Sequence, residues 1–306
     1  MKVFLPFPAS TLTDVPDIFD IEVVNATVSV PQSISEVEFY VPAYEFSDAV
    51  IDVIADMPRL RIVQTLTAGV DSIQAAIPDG ATLCNAVGVH DAATSELAVG
   101  LMISAERRLA ELAIAQHEGR WDQQMASSLA DRRVLVVGAG NIGSAIRRRL
   151  DGFECDVAMV GRTARDGVHG VDELPELLPS ADIVVLILPL TEQSAGMVDA
   201  AFLAAMPDGA LLVNVARGPV VDTDALVAET SSGRLRAAID VTDPEPLPPG
   251  HPLWSTPGVI ITPHVGGASS ALWPRAHRLV SEQLRRVADG RPLLNVVHRG
   301  PAAQRL

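Results

Sequence analysis

The chain has 306 residues, 48% of them hydrophobic and 20% charged, an ordinary globular balance with enough length for two domains that each bury a core. Its 38 acidic and 23 basic side chains give a formal net charge of −15, which repels phosphate backbones and anionic lipid, so neither nucleic acid nor a membrane surface is an expected partner. Two distant cysteines, Cys84 and Cys155, make neither a disulfide framework nor a metal site. The start, MKVFLPFP, lacks the long apolar core of a signal peptide, and no apolar run reaches the roughly 18 residues of a membrane span, so a cytoplasmic location is expected.

Along the chain, short apolar runs alternate with helical patterns. Strands are expected at Lys2–Leu5, Ile21–Val24, Val37–Val41, Arg61–Thr65 and Ala81–Cys84, an alternation that implies βαβ units and a parallel sheet covered on both faces. One long helical pattern runs from Ala92 to Gln116. Its apolar positions Ala98, Leu101, Met102, Ala105, Leu109 and Leu112 follow the spacing of one helix face. A polar loop, His117 to Ser128, follows it. A second series of strands then starts at Val134–Val137 and continues through Val157–Val160, Ile183–Leu188, Leu211–Val215, Leu235–Asp240 and Val259–Thr262, the six expected of a doubly wound dinucleotide fold. One more helix is expected over Leu272–Ala288.

The fold class expected is therefore α/β, with two doubly wound parallel-sheet domains. A Rossmann dinucleotide-binding domain (residues 97–271) is inserted into a flavodoxin-like substrate domain (residues 1–96 plus 272–306).

Residues 134–143 place Gly138, Gly140 and Gly143 in a G-x-G-x-x-G pattern between a strand and a helix. Gly138 allows the tight turn, Gly140 the approach of a pyrophosphate, and Gly143 the close packing of helix on strand. Asn141 and Ile142 open that helix, whose unpaired N–H groups and positive dipole end suit phosphates. The second strand of such a fold ends in Asp or Glu when the ribose carries free hydroxyls. Here it ends in Gly161-Arg162-Thr163, and an arginine can bind a 2′-phosphate that a carboxylate would repel. NADP(H) is thus the preferred cofactor, with NAD(H) as the second choice.

Further along stand Leu-Pro-Leu-Thr (188–191), Asn-Val-Ala-Arg-Gly (214–218), Asp-Val-Thr-Asp-Pro-Glu-Pro (240–246) and Pro-His-Val-Gly-Gly (263–267). In this order after the glycine motif, they resemble the D-isomer-specific 2-hydroxyacid dehydrogenase family, and within it the glyoxylate/hydroxypyruvate reductases most. The resemblance is strongest from 130 to 270 and weakest in the first 60 residues.

It implies an acid–base histidine at His264, its carboxylate partner at Glu245 nineteen residues earlier, and a substrate-anchoring Arg217. It also implies cofactor contacts from Pro189, Val215, Ala216 and Asp240, the last at the nicotinamide carboxamide. In the first domain the backbone of Gly69 and Val70, in Thr67-Ala68-Gly69-Val70-Asp71, would bind the substrate carboxylate. Asn85 and Glu96 flank the crossover into the second domain. The chemistry agrees with these roles. Reduction of a 2-oxo acid needs hydride at C2 and a proton on the carbonyl oxygen, which histidine gives near neutral pH. A guanidinium polarises that carbonyl and anchors the acid against the chain's negative field.

The expected activity is hydride transfer between NADP(H) and a small 2-oxo acid such as glyoxylate or hydroxypyruvate, in a homodimer. Two alternatives stand beside it: a dinucleotide-sensing, corepressor-like binding protein, and the same triad oxidising another substrate such as phosphite.

Overall fold

The computed structural model describes residues 1–45 and 47–298. Among these are thirteen strands: β1 (Lys2–Leu5), β2 (Asp20–Val23), β3 (Val37–Tyr40), β4 (Ile62–Gln64), β5 (Thr82–Cys84), β6 (Arg133–Val137), β7 (Asp156–Gly161), β8 (His169–Gly170), β9 (Ile183–Leu186), β10 (Leu211–Asn214), β11 (Arg236–Ile239), β12 (Val259–Ile261) and β13 (Val296–His298). They form two sheets in two compact units. The first unit is Met1–His90 with the segment from Ser270 onward; the second is Asp91–Ser269. The chain passes into the second unit at Asp91 rather than at the expected 97, because the helix Asp91–Glu106 belongs whole to that unit. It passes back after Ser269, two residues ahead of the expected return.

In the first unit the sheet order is β13-β5-β4-β3-β1-β2. The pairs among β1 to β5 are all parallel, and β13 closes the edge antiparallel to β5. The sequence pattern did not single out β13, whose three residues are half-buried or exposed and show no alternation. Successive residues of the central strands go to opposite faces. Val3, Leu5, Phe39 and Ile62 pack with Leu272, Ala276, Val280 and Leu284 of the helix Leu272–Ala288, while Phe4, Tyr40 and Val63 pack with Ile54, Met57 and Ile73. Each fully buried leucine there is worth about 1.5–3 kcal/mol of transfer free energy, which fixes the last long helix to the sheet.

The second unit holds an all-parallel sheet, order β12-β11-β10-β9-β6-β7-β8. Read from β6, this is the doubly wound dinucleotide order with a seventh strand. The two-residue β8, too short to leave a pattern, escaped the sequence reading. Val134 and Val136 face one layer with Val185 and Val213, and Leu135 and Val137 face the other with Val184 and Leu212, so these strands are apolar on both sides.

The single long helix expected from Ala92 to Gln116 is two helices, Asp91–Glu106 and Leu109–His117. Arg108 between them takes a left-handed conformation, φ 55°, which ends the first helix and re-aims the second. Ala98, Leu101 and Met102 are buried as expected, but Leu109 and Leu112 are 47% and 40% exposed. Glu106, 1% exposed, ends the first helix against two arginines, Arg236 at 2.5 Å and Arg132 at 3.3 Å, which anchor it to the starts of β11 and β6. No helix among the described residues is long and apolar enough to cross a membrane.

Candidate active site

The switch point of the second sheet lies at β6, where the chain order turns from β7 on one side to β9 on the other. The glycine motif follows β6, and two of its glycines are enforced by contact. Gly138 sits at φ 127°, and a Cβ there would lie 2.2 Å from the Ile187 carbonyl oxygen; one at Gly143 would lie 1.9 Å from that of Gly138. At Gly140 the same volume is open, with nothing within 4 Å. This is the surface a pyrophosphate needs: backbone alone, at the mouth of the helix Asn141–Leu150, with the first-turn N–H groups of Asn141, Ile142 and Gly143 beyond it.

Gly161 ends β7, and Arg162 and Thr163 after it are exposed. Arg165 stands three residues beyond Arg162. Its guanidinium donates to the Ala139 carbonyl inside the glycine motif at 2.8 Å, and it lies 3.0 Å from where a Cβ on Gly161 would stand. A two-residue turn, Asp166-Gly167, holds Arg165 there through paired backbone bonds to Val168 at 2.9 and 2.8 Å. The nearest signal in the sequence was the spacing Arg-x-x-Arg, which by itself marks a polar loop. Pro189 is exposed after β9, and its carbonyl accepts from the Ser194 hydroxyl at 2.7 Å.

The three residues expected to carry the chemistry follow three neighbouring strands: Arg217 after β10, Glu245 after β11 and His264 after β12. Arg217 is presented by a turn that a buried amide shapes. Asn214, 1% exposed, accepts from the Ala216 N–H at 3.0 Å and donates to the Arg217 carbonyl at 3.0 Å. Val215 and Ala216 are buried in this turn, and Arg217 reaches the Ala216 carbonyl at 2.8 Å. The next residue, Gly218, meets the following strand's loop: a Cβ there would stand 1.9 Å from the Thr242 carbonyl oxygen. Only glycine lets the Arg217 and Glu245 loops approach so closely. Asn214 and Gly218 both lay inside the segment quoted from the sequence, but their work depends on contacts that a sequence does not display.

His264 Nδ1 and Glu245 Oε1 are 2.5 Å apart, and the Thr242 N–H donates to Glu245 Oε2 at 3.4 Å. Partial withdrawal from water pushes the Glu245 carboxyl up. The hydrogen bond and charge of His264, the Thr242 N–H and the Arg217 guanidinium outweigh that and hold it below the usual carboxylate value. His264 has φ 52°, and its N–H donates to the Asp240 carbonyl at 2.8 Å and the Thr262 carbonyl at 3.0 Å.

Asp240, 3% exposed, shapes the turn that carries His264. Its Oδ1 accepts from the Val265 N–H at 2.9 Å and the Thr262 hydroxyl at 2.6 Å, and its Oδ2 accepts from the Gly266 N–H at 2.8 Å. The residue expected at the nicotinamide carboxamide thus already has both oxygens engaged in holding the loop.

In the first unit, Gly69 is half-buried and Val70 buried, in the loop that follows β4. Among the described residues their backbone N–H groups donate to no protein acceptor, while the carbonyls of Thr67, Ala68 and Gly69 are all bonded. Among the described residues there is no group of three or more side chains fit to hold a metal ion.

The doubly wound sheet and the glycine turn define a dinucleotide-binding protein. Residues 99–266 match the model of the D-isomer specific 2-hydroxyacid dehydrogenase family, NAD binding domain. A glyoxylate reductase of Thermofilum pendens is 33% identical over 76% of this chain and 73% of its own. A glyoxylate/hydroxypyruvate reductase of Arabidopsis thaliana is 32% identical over 80% of each chain. The chain is therefore a member of the D-isomer-specific 2-hydroxyacid dehydrogenase family. Among solved structures, a family member from Xanthobacter autotrophicus, in complex with NADPH and MES, is 32% identical with a TM-score of 0.80 over 97% of both chains. An NADPH-dependent glyoxylate/hydroxypyruvate reductase from Sinorhizobium meliloti, in complex with NADP and malonate, is 27% identical with a TM-score of 0.81, covering 98% of this chain and 97% of that one.

Proposed function

We propose that this chain reduces a small 2-oxo acid, glyoxylate or hydroxypyruvate, with NADPH. The observation that carries this reading is the His264–Glu245 pair at 2.5 Å beside Arg217, set on three adjacent strand ends. The nicotinamide, when bound, supplies the hydride for C2. The site residues do the rest. Arg217 holds the substrate and draws electron density toward its carbonyl oxygen, and His264 Nε2 gives that oxygen a proton, so the ketone or aldehyde becomes a hydroxyl. Glu245 holds the ring through Nδ1 and stabilises its charged form before the transfer. Asp240, through the turn it ties, keeps the imidazole in place. The substrate carboxylate binds the N–H groups of Gly69 and Val70.

The fit to a phosphate-bearing cofactor is supported by the bare backbone at Gly140 and by three arginines: Arg162 directly after Gly161, Arg165 against Gly161, and Arg147 against Gly167. Arg162, Arg165 and Arg147 form no ion pair among the described residues, in a chain with an excess of fifteen negative charges. Arg162 and Arg165 are proposed as the 2′-phosphate contacts, which favours NADPH over NADH.

The test is initial rates with NADPH and, separately, NADH against glyoxylate, hydroxypyruvate, pyruvate and phenylpyruvate. Turnover with NADPH and the two small acids, at least about tenfold above NADH, is expected for one charge-assisted phosphate contact. A preference for phenylpyruvate removes the substrate assignment, and a preference for NADH removes the arginine reading. No turnover with any acid removes the reaction itself.

A further inference from the structure

The carboxylate reading of Gly69 and Val70 leaves open what turns two backbone N–H groups toward an anion, since these residues have no side chain suited to that work. The bonding of their neighbours answers it. In a planar trans peptide the C=O of one residue and the N–H of the next point in opposite directions. The Ala68 carbonyl accepts from Asn85 Nδ2 at 2.9 Å, which fixes the plane carrying the Gly69 N–H. The Gly69 carbonyl accepts from the Thr67 hydroxyl at 2.8 Å, which fixes the plane carrying the Val70 N–H. One plane earlier, the Thr67 carbonyl is held by the Thr65 hydroxyl at 2.8 Å and the Ala86 N–H at 2.9 Å. Each of the two peptide planes is thus fixed through its carbonyl by a named donor, which sets the direction of the Gly69 and Val70 N–H groups on the opposite edges of those planes, and backbone N–H groups set in this way can bind anions.

Asn85 is itself braced. Its Oδ1 accepts from the Val87 N–H at 3.2 Å, its N–H donates to the Asn295 carbonyl at 3.0 Å, and its carbonyl accepts from Gln64 Nε2 at 3.0 Å. Gln64 in turn accepts from Gln283 Nε2 at 2.7 Å, and both glutamines are 0% exposed. Two buried amides are costly unless their polar atoms are bonded. Here they link the last long helix to the loop after β4 through Asn85.

We infer that Asn85 and Thr67 are positioning residues for substrate-carboxylate recognition, each setting one of the two peptide planes whose N–H groups hold the acid. The inference rests on the proposed reduction of a 2-oxo acid. It adds that affinity for the acid depends on two side chains that never touch it. Replacement of either leaves the hydride and proton machinery of the second unit unchanged.

The experiment compares wild type with Thr67→Val, which keeps the shape and removes the donor, with Asn85→Ala, and with Asn85→Asp, which keeps the acceptor for Val87 and loses the donor for Ala68. For each protein KM and kcat for glyoxylate, the inhibition constant of oxalate and the Kd of NADPH are measured. The expected result is a rise of about tenfold or more in KM and in the oxalate constant together, with kcat within about threefold and the NADPH Kd unchanged, the size of one lost orienting bond to a charged ligand. Wild-type KM and oxalate inhibition in Thr67→Val and Asn85→Ala overturn the inference while the reaction stands. So does a fall in kcat, NADPH binding and melting temperature together, which is the signature of a structural role. A wild type that neither reduces a 2-oxo acid nor binds oxalate takes down the reaction reading, and this inference with it.

Discussion

The loop that follows β4 in the first unit and the loop that follows β12 in the second are both set by side chains that hold backbone, but they hold it for opposite ends. In the second unit the Asp240 carboxylate collects the Val265 and Gly266 N–H groups, so that a side chain, His264, is presented. In the first unit Asn85 and Thr67 collect carbonyls, so that N–H groups are presented. The difference teaches where a function shows in a sequence. The family resemblance pointed to both loops, but the side-chain site is carried by the residue it names, whereas the backbone site depends on neighbours, Asn85 and Thr67, that the resemblance did not name as its support.

The comparison can be sharpened by variants on each side. The largest effect is expected for His264→Ala, which removes the proposed proton donor. Turnover should fall by about 10²–10⁴-fold while NADPH affinity, read by fluorescence titration, stays within about twofold. Near-normal turnover would place the acid–base group elsewhere. Asp240→Asn comes next. It keeps one acceptor oxygen but puts an amide NH₂ against a loop N–H, so kcat should drop by roughly 10–100-fold with little change in KM, the reverse of the split expected at Asn85. Equal changes in both constants at Asp240 would dissolve the contrast between the two loops. The smallest is Arg165→Gln, expected to weaken NADPH by about tenfold and leave NADH alone, as loss of one charge-assisted contact to a phosphate requires. If both cofactors weaken equally, the role of Arg165 is its bond to Ala139 rather than a phosphate.

Much of this was legible beforehand. The apolar runs located eleven of the thirteen strands, most of them because strands buried on both faces are continuous hydrophobic segments. β8 and β13 leave no signal because runs of two or three residues carry no period. The break at Arg108 was missed because a left-handed arginine leaves the apolar spacing on either side intact. The geometry unites Glu245 and His264, whose spacing of nineteen residues was visible. Asn214, Gly218 and Arg165 were not foreseen, since an amide that shapes a turn, a glycine pressed on a carbonyl and an arginine laid across a motif all draw their meaning from residues distant in the chain.

The left-handed backbone of His264 has a consequence for inheritance. An L-residue with a Cβ gives up roughly 1–2 kcal/mol in that conformation, so the chain alone would choose glycine or asparagine there. With the role proposed for His264, selection for a sturdier fold and selection for turnover pull this codon in opposite directions. In a lineage released from the need for the reaction, the imidazole should be among the first residues to drift, with the surrounding turn kept intact by Asp240.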